Sequence, residues 1–353
     1  MGVAAITRRA RTPISKTIGI KLPRPFSTSV EEVRAKLAGR ERALFELLCV
    51  AGHLGRSLPN SNANRRTVTG VRDPRKRLAR LAARMEDGSA REWATTSARL
   101  VRWLAQDLTR HEHDDAYRAL RVLLGNASIA LAPDCVVPSD PSLLVAWKTV
   151  VGLFARLYRS DIKPLGRLKW LDVQRLATLK RETAAGRARG RHASGMRPGP
   201  AGRTLAVDPK LMKAVGKALG LSVEPGFEAR YIFYAKDGDY FWPHPDDPEY
   251  AVNVLVCLDH RRPGRGTGSA LLAYRPDGSV ERYELAPGSA LAVEARGLVH
   301  AREPMRRGER MTMLSIAVNA VSNGIKKSRL ARITPRLVDR FRAHGFANGP
   351  TSG

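Results

Sequence analysis

Aromatic residues make up only 6% of this 353-residue chain, and there are just three cysteines. Cys49, Cys135 and Cys257 form no CxxC and no paired spacing. That excludes a disulfide scaffold and fits a reducing compartment, so the expected location is cytoplasmic. No apolar run approaches the roughly 18 residues that a membrane-spanning helix needs, so no membrane partner is expected. Acidic residues are also few, 33 Asp+Glu against 61 Lys+Arg, for a formal net charge of +28. The imbalance is concentrated early: residues 1–200 hold 38 of the basic and 17 of the acidic side chains. A cationic field favours anionic partners such as nucleic acid, an acidic peptide or a small anion. The plain alternative is a solvating basic surface. The hydrophobic content, 43%, is that of a globular protein.

Periodicity divides the chain. Residues 1–30 have no acid, carry Arg8, Arg9 and Arg11, and show no regular pattern; they are expected to be a basic tail. From 31 to 183 the apolar spacing is helical, with helices expected over Val30–Leu54, Arg77–Met85, Arg91–Leu108, Ala116–Leu124, Leu143–Tyr158 and Trp170–Glu182. Residues 184–204 are dominated by Gly, Pro and Arg and read as a linker or mobile loop. A short helix, Pro209–Leu219, follows. From Glu228 the pattern turns to short strands separated by turns such as Pro276-Asp277-Gly278. Roughly seven strands in so short a stretch indicate a jelly roll within 205–325. A helix over Arg332–His344 is expected in the closing segment, 326–353. The fold class is therefore α+β: a double-stranded β-helix (jelly roll) barrel with an α-helical N-terminal region, whose helices either pack on the barrel or recruit substrate.

His244 and Asp246 lie two residues apart in PheTrpProHisProAspAsp, 241–247. In extended backbone such residues point to the same side and can meet one ion. His300 follows 56 residues later, after several strands. Two imidazoles and one carboxylate make a facial triad, which holds Fe(II) and leaves positions open for substrate and oxygen. Arg310, ten residues after His300, opens the last strand and can grip a carboxylate with two parallel hydrogen bonds; Thr312 shares its side and can add a hydroxyl. Other polar clusters have blander readings. HisGluHisAspAsp at 111–115 is expected to be a helix cap and solvated loop, and ArgAspProArgLysArg at 72–77 a solvated helix end. GlyArgGlyThrGly at 264–268 lacks the Lys-Ser/Thr of a phosphate loop and is expected to be a lid or substrate loop.

The ordered set Tyr234, Gly238, Tyr240, His244-Pro-Asp246, the aliphatic strand 252–258, His300 and Arg310 resembles Fe(II)/2-oxoglutarate-dependent dioxygenases, most of all their prolyl 4-hydroxylase-like branch. The likeness covers under a third of the chain. It implies that His244, Asp246 and His300 bind iron and that Arg310 pairs with the distal carboxylate of 2-oxoglutarate. It also implies that Tyr234, or Tyr231 on the same strand, donates to that carboxylate, and that Asn253 touches the cosubstrate's other end. Two departures are visible. The Gly238–His244 spacing differs by one from the family pattern, and the family's Gly-Gly-Glu is replaced by GlyArgGlyThrGlySer at 264–269. Asp246 sets the chain apart from halogenating relatives, which lack that carboxylate.

The expected activity is a hydroxylase acting on an amino-acid side chain, free or in a peptide, with an acidic substrate favoured by the charge. Fe(II), 2-oxoglutarate and O2 are the expected cofactors, with ascorbate as reductant in vitro. A nucleic-acid-directed oxygenase ranks second, because few aromatics are interleaved with the basic residues of 1–90 for base stacking. A non-catalytic, cupin-like metal-binding barrel is the third reading.

Overall fold

The computed structural model describes residues 24–57, 74–83, 88–184, 194–246, 250–264 and 267–321. The expected helix at 332–344, most of the tail 1–30 and the centre of the 184–204 segment lie outside them. Six helices come first: α1 Arg24–Lys36, α2 Gly39–Ser57, α3 Pro74–Ala82, α4 Ala90–Arg110, α5 Asp115–Leu131 and α6 Pro141–Leu157. Next are β1 Ile162–Arg167, α7 Val173–Glu182, β2 Ser194–Met196, α8 Pro200–Ala206 and α9 Pro209–Leu219. The remaining strands are β3 Val223–Tyr234, β4 Phe241–His244, β5 Val252–Arg261, β6 Leu271–Tyr274, β7 Val280–Tyr283, β8 Ser289–Val293, β9 His300–Arg302 and β10 Arg310–Ala320.

Helix starts follow local chemistry. Ser89 and Glu92 form a reciprocal capping box at α4, and Asp114, Asp140, Asp172 and Asp208 cap α5, α6, α7 and α9 through their carboxylates. The HisGluHisAspAsp cluster is what its pattern indicates: His111 ends α4 and Asp114 caps α5.

The strands pair antiparallel in two sheets, one of six strands in the order β1-β8-β5-β10-β3-β2 and one of four in the order β4-β9-β6-β7. Among the described residues no strand pairing joins the sheets into a closed barrel. Alternation along β5 shows how they stack. Val252, Val254, Val256 and Leu258 join a core with Leu179, Leu205, Leu211 and Val215 of α7–α9. Leu255 and Cys257 join a different core with Leu271 and Ala273 of the smaller sheet. A third core unites the first six helices with Tyr240, Leu272, Tyr274, Val299 and Ala301, on the other side of that smaller sheet. The order of layers is therefore helices, four-stranded sheet, six-stranded sheet, helices, with the interior between the sheets.

Several boundaries differ from the sequence reading. The tail expected over 1–30 gives way to helix at Arg24, and the helix expected over Val30–Leu54 is two, broken before Gly39, whose φ of +50° lies in the left-handed region. Residues 194–204 are not linker throughout: β2 pairs with β3, and α8 opens at Pro200. The edge strand β1 was not anticipated, since Pro164 and Gly166 disguise it; its pairing with β8 shifts register there.

Helices α2 and α5 meet at backbone contact. A Cβ on Gly52 would run into the carbonyl of Leu123, and one on Gly55 into the carbonyl of Asn126. Alanine in place of glycine normally strengthens a helix by about 1 kcal/mol. Gly52→Ala is expected to do the reverse and destabilise by roughly 1–3 kcal/mol, because a carbonyl in a helix cannot step aside. A urea-unfolding midpoint at or above that of the parent chain would contradict this packing.

Candidate metal centre

The two histidines, 56 residues apart in sequence, are direct partners across the β4–β9 pair. Their ring centroids lie 4.6 Å apart. Asp246 sits just beyond the end of β4, its backbone N–H donating to the Ala295 carbonyl at 2.8 Å. One ligand atom from each of His244, Asp246 and His300 falls within 4.8 Å of the others. His244 Nε2 is 3.2 Å and His300 Nε2 3.8 Å from Asp246 Oδ1.

The other ring nitrogens fix what this cluster can do. His244 Nδ1 lies 2.9 Å from the Trp242 carbonyl, and His300 Nδ1 lies 3.0 Å from that of Leu298. A carbonyl only accepts, so each Nδ1 carries the hydrogen and each Nε2 turns a lone pair inward. Asp246 is held the same way. Asn253 Nδ2 donates to its Oδ2 at 2.9 Å, and Ser315 Oγ donates to Asn253 Oδ1 at 2.8 Å, which sets the amide's orientation. Burial would push the Asp246 carboxyl up, but the neighbouring His300 and His244 and the hydrogen bond from Asn253 hold it well below the usual carboxylate range. Burial also lowers His300 from its ordinary value, against the opposing pull of Asp246. Both directions favour the forms that bind metal, a carboxylate at Asp246 and a neutral imidazole at His300.

The helical layer braces the centre. Ser128 Oγ of α5 donates to the Pro243 carbonyl at 2.7 Å, and Gly125 lets α5 pass close to the ring of Pro245, the residue between His244 and Asp246. Tyr240, read as a family tyrosine, donates to the Pro133 carbonyl at 2.9 Å.

The remaining residues singled out in the sequence are distributed differently. Tyr231 and Tyr234 occupy opposite faces of β3. Tyr231 packs in the outer core and donates to Glu182 Oε1 at 3.1 Å, whereas Tyr234 lies in the interior, where burial pushes its hydroxyl pKa up to about 12. Asn253 lies on Asp246 itself. Arg310 and Thr312 share the face of β10 opposite to Met311 and Met313, the two that enter the interior core. Arg310 is 42% exposed at its side chain and donates to Asp237 Oδ1 at 2.8 Å and to the Glu309 carbonyl at 2.6 Å.

A residue the sequence reading passed over stands in the interior instead. Arg302 is two residues beyond His300 on β9, hence on the same face, and is 1% exposed. Its Nη2 donates to the Ser269 carbonyl at 3.1 Å and touches Met311 Sδ. Its Cζ lies 5.8 Å from the ring centre of Tyr234. Nε and Nη1 have no hydrogen-bond partner. Ser269 is itself fixed by Glu309, whose Oε1 accepts from the Ser269 N–H at 2.8 Å and from its hydroxyl at 3.2 Å and meets His260 Nε2 at 2.6 Å. The i, i+2 relation to His300 was the available signal.

No protein-family profile and no curated protein matches the sequence. Solved structures do. A Pseudomonas putida prolyl-4-hydroxylase aligns at 18% identity over 48% of this chain and 98% of that one, with a TM-score of 0.36. AviO1 from Streptomyces viridochromogenes aligns at 18% identity over 46% and 92%, with a TM-score of 0.35. The viral collagen prolyl hydroxylase of Paramecium Bursaria Chlorella virus-1, in its 2OG complex, aligns at 14% identity over 46% and 96%, with a TM-score of 0.34. Over part of its length, then, the chain is similar to solved structures of 2OG-Fe(II) oxygenases, prolyl 4-hydroxylases among them, at low identity.

Proposed function

We propose that this chain is an Fe(II)- and 2-oxoglutarate-dependent oxygenase that hydroxylates an amino-acid side chain, free or within a peptide. The observation that carries the proposal is the convergence of His244 Nε2, His300 Nε2 and the Asp246 carboxylate, with both Nδ1 atoms tied to carbonyls. Two neutral nitrogens and one anionic oxygen on a single side of an ion suit Fe(II) and leave the opposite side open. The stacked antiparallel sheets, with the ligands between them, support the double-stranded β-helix reading of the strand-rich segment.

When bound, iron, 2-oxoglutarate and O2 supply the oxidative decarboxylation to succinate and CO2 that is coupled to insertion of oxygen into a C–H bond. The protein's part is placement. The Trp242 and Leu298 carbonyls orient the imidazoles, and Asn253, steadied by Ser315, keeps Asp246 in position. The choice of an amino-acid substrate rests on the sequence resemblance, and a preference for acidic ones on the net charge of +28. Binding of an acidic peptide that is insensitive to salt would count against that preference.

The test is succinate formation from 2-oxoglutarate under air with Fe(II) and ascorbate. Iron-dependent succinate, abolished by chelator, is the expected result. Tight metal binding with no affinity for 2-oxoglutarate would replace this reading with the cupin-like one.

A further inference from the structure

We infer that Arg302, on β9, is the residue that holds the distal carboxylate of 2-oxoglutarate, and that Arg310 takes no part. The inference rests on the function proposed above and deepens it at one atom group. An arginine stays protonated in proteins, and an isolated charge in an interior costs several kcal/mol after relaxation. Arg302 is such a charge. Among the described residues no carboxylate pairs with it, and two of its nitrogens have no partner. The partners it does have, the Ser269 carbonyl and Met311 Sδ, engage Nη2 alone. Of the guanidinium's planar fork, Nε–H and both hydrogens of Nη1 are left as donors for an anion such as a carboxylate.

Position specifies which anion. Arg302 and His300 share a face of one strand, two residues apart. That is about 7 Å of backbone, a span that a five-carbon dicarboxylate bridges with its keto-acid end at the metal. Beside the cation stand the Tyr234 ring and the apolar Met311, and Arg302 is 1% exposed. A group binding there is therefore desolvated on most sides, which strengthens its attraction to the guanidinium. Arg310, by contrast, is on the other face of its strand and already engaged by Asp237.

Calorimetric titration of the Fe(II)-loaded protein under argon reads this without turnover. Two probes are used: 2-oxoglutarate, and 2-oxopentanoate, which keeps the keto-acid end and lacks the second carboxylate. The parent protein is expected to prefer 2-oxoglutarate strongly. Arg302→Met is expected to lower 2-oxoglutarate affinity by about 100-fold or more, the loss typical of removing one partner of a buried, hydrogen-bonded charge pair. Affinity for 2-oxopentanoate should not change, so the preference collapses. The melting midpoint of the metal-free variant should rise, since an unpaired buried cation has been removed. Because Arg302 already touches Met311, adding Met311→Arg to Arg302→Met returns a guanidinium to the same space from β10, and the preference should return with it. If Arg302→Met does not fold, Arg302→Lys keeps the charge but loses the fork, and a drop of about tenfold in 2-oxoglutarate affinity alone is the expected result. A preference that survives at Arg302 and collapses in Arg310→Ala overturns the inference and leaves the proposed function standing. Failure of the parent iron-loaded protein to bind 2-oxoglutarate overturns both.

Discussion

Replacing Asp246 with alanine is expected to abolish iron-supported succinate formation and to weaken metal binding by more than the roughly 10–100-fold usual for losing an outer partner of a ligand. Asp246 is the one anion of the cluster. Without it, two imidazoles with centroids 4.6 Å apart remain, and a divalent ion in a buried site has no charge to balance its own. Asn253→Ala supplies the scale for comparison. It removes the hydrogen bond to Asp246 Oδ2 and the acceptor of Ser315 Oγ but no metal ligand, so it should fall within the roughly 10–100-fold range and retain measurable succinate formation. Metal content after dialysis, together with succinate yield, measures both variants. An Asp246→Ala protein that keeps its metal as tightly as the parent would show that the ion, if any, sits elsewhere.

The largest effect on stability is expected at Trp147, far from the metal ligands in sequence. Its side chain is fully buried in the helical core and stands edge-on to Tyr274 of β6, with ring centroids 4.9 Å apart at 84°. Trp147→Ala should cost about 3–5 kcal/mol. That is a large part of the roughly 5–15 kcal/mol that holds a typical domain folded. Trp147→Phe should cost far less, about 1.5 kcal/mol or below, because the ring body stays and the indole N–H it removes has no partner to lose. Urea unfolding separates the two. The effect should reach the site as well: the Tyr274 N–H donates to the Val299 carbonyl at 3.0 Å, and Val299 immediately precedes His300. A loss below about 1 kcal/mol in Trp147→Ala would mean that the helical layer does not pack on the sheet as described.

How much could be read before the fold was known depended on whether a signal was local. His244 and Asp246 were legible because parity along extended backbone is a two-residue property. The same rule applied to His300 points to Arg302, and applied to Met311 and Met313 it turns Arg310 outward. The family's spacing, ten residues after His300, singles out Arg310. The choice between Tyr231 and Tyr234 could not be made from spacing alone, since it depends on which face of β3 meets helices. The long strand β5 was legible from its aliphatic run, yet the run hid its two-sidedness, because both faces are buried. Helices showed in their periodicity and their Asp caps. Their docking on the four-stranded sheet did not, since Tyr240, Leu272 and Ala301 are spread through a segment with its own pattern. β1 and β2 were missed for a related reason: short edge strands that contain Pro or Gly draw their pairing from a neighbour rather than from their own composition.

The three thiols described at the outset gain a practical meaning from the layers. Cys49 is buried among the helices, Cys135 contacts the backbone of β4 and β9 at the helix–sheet junction, and Cys257 lies between the sheets. Burial pushes the Cys49 thiol up and the Cys257 thiol up to about 12. Iron, ascorbate and air together are hard on reactive thiolates, but all three thiols are buried in the closed fold. Each becomes alkylatable only when its own layer opens, so three labelling clocks in one unmodified chain report, layer by layer, the order in which the protein comes apart.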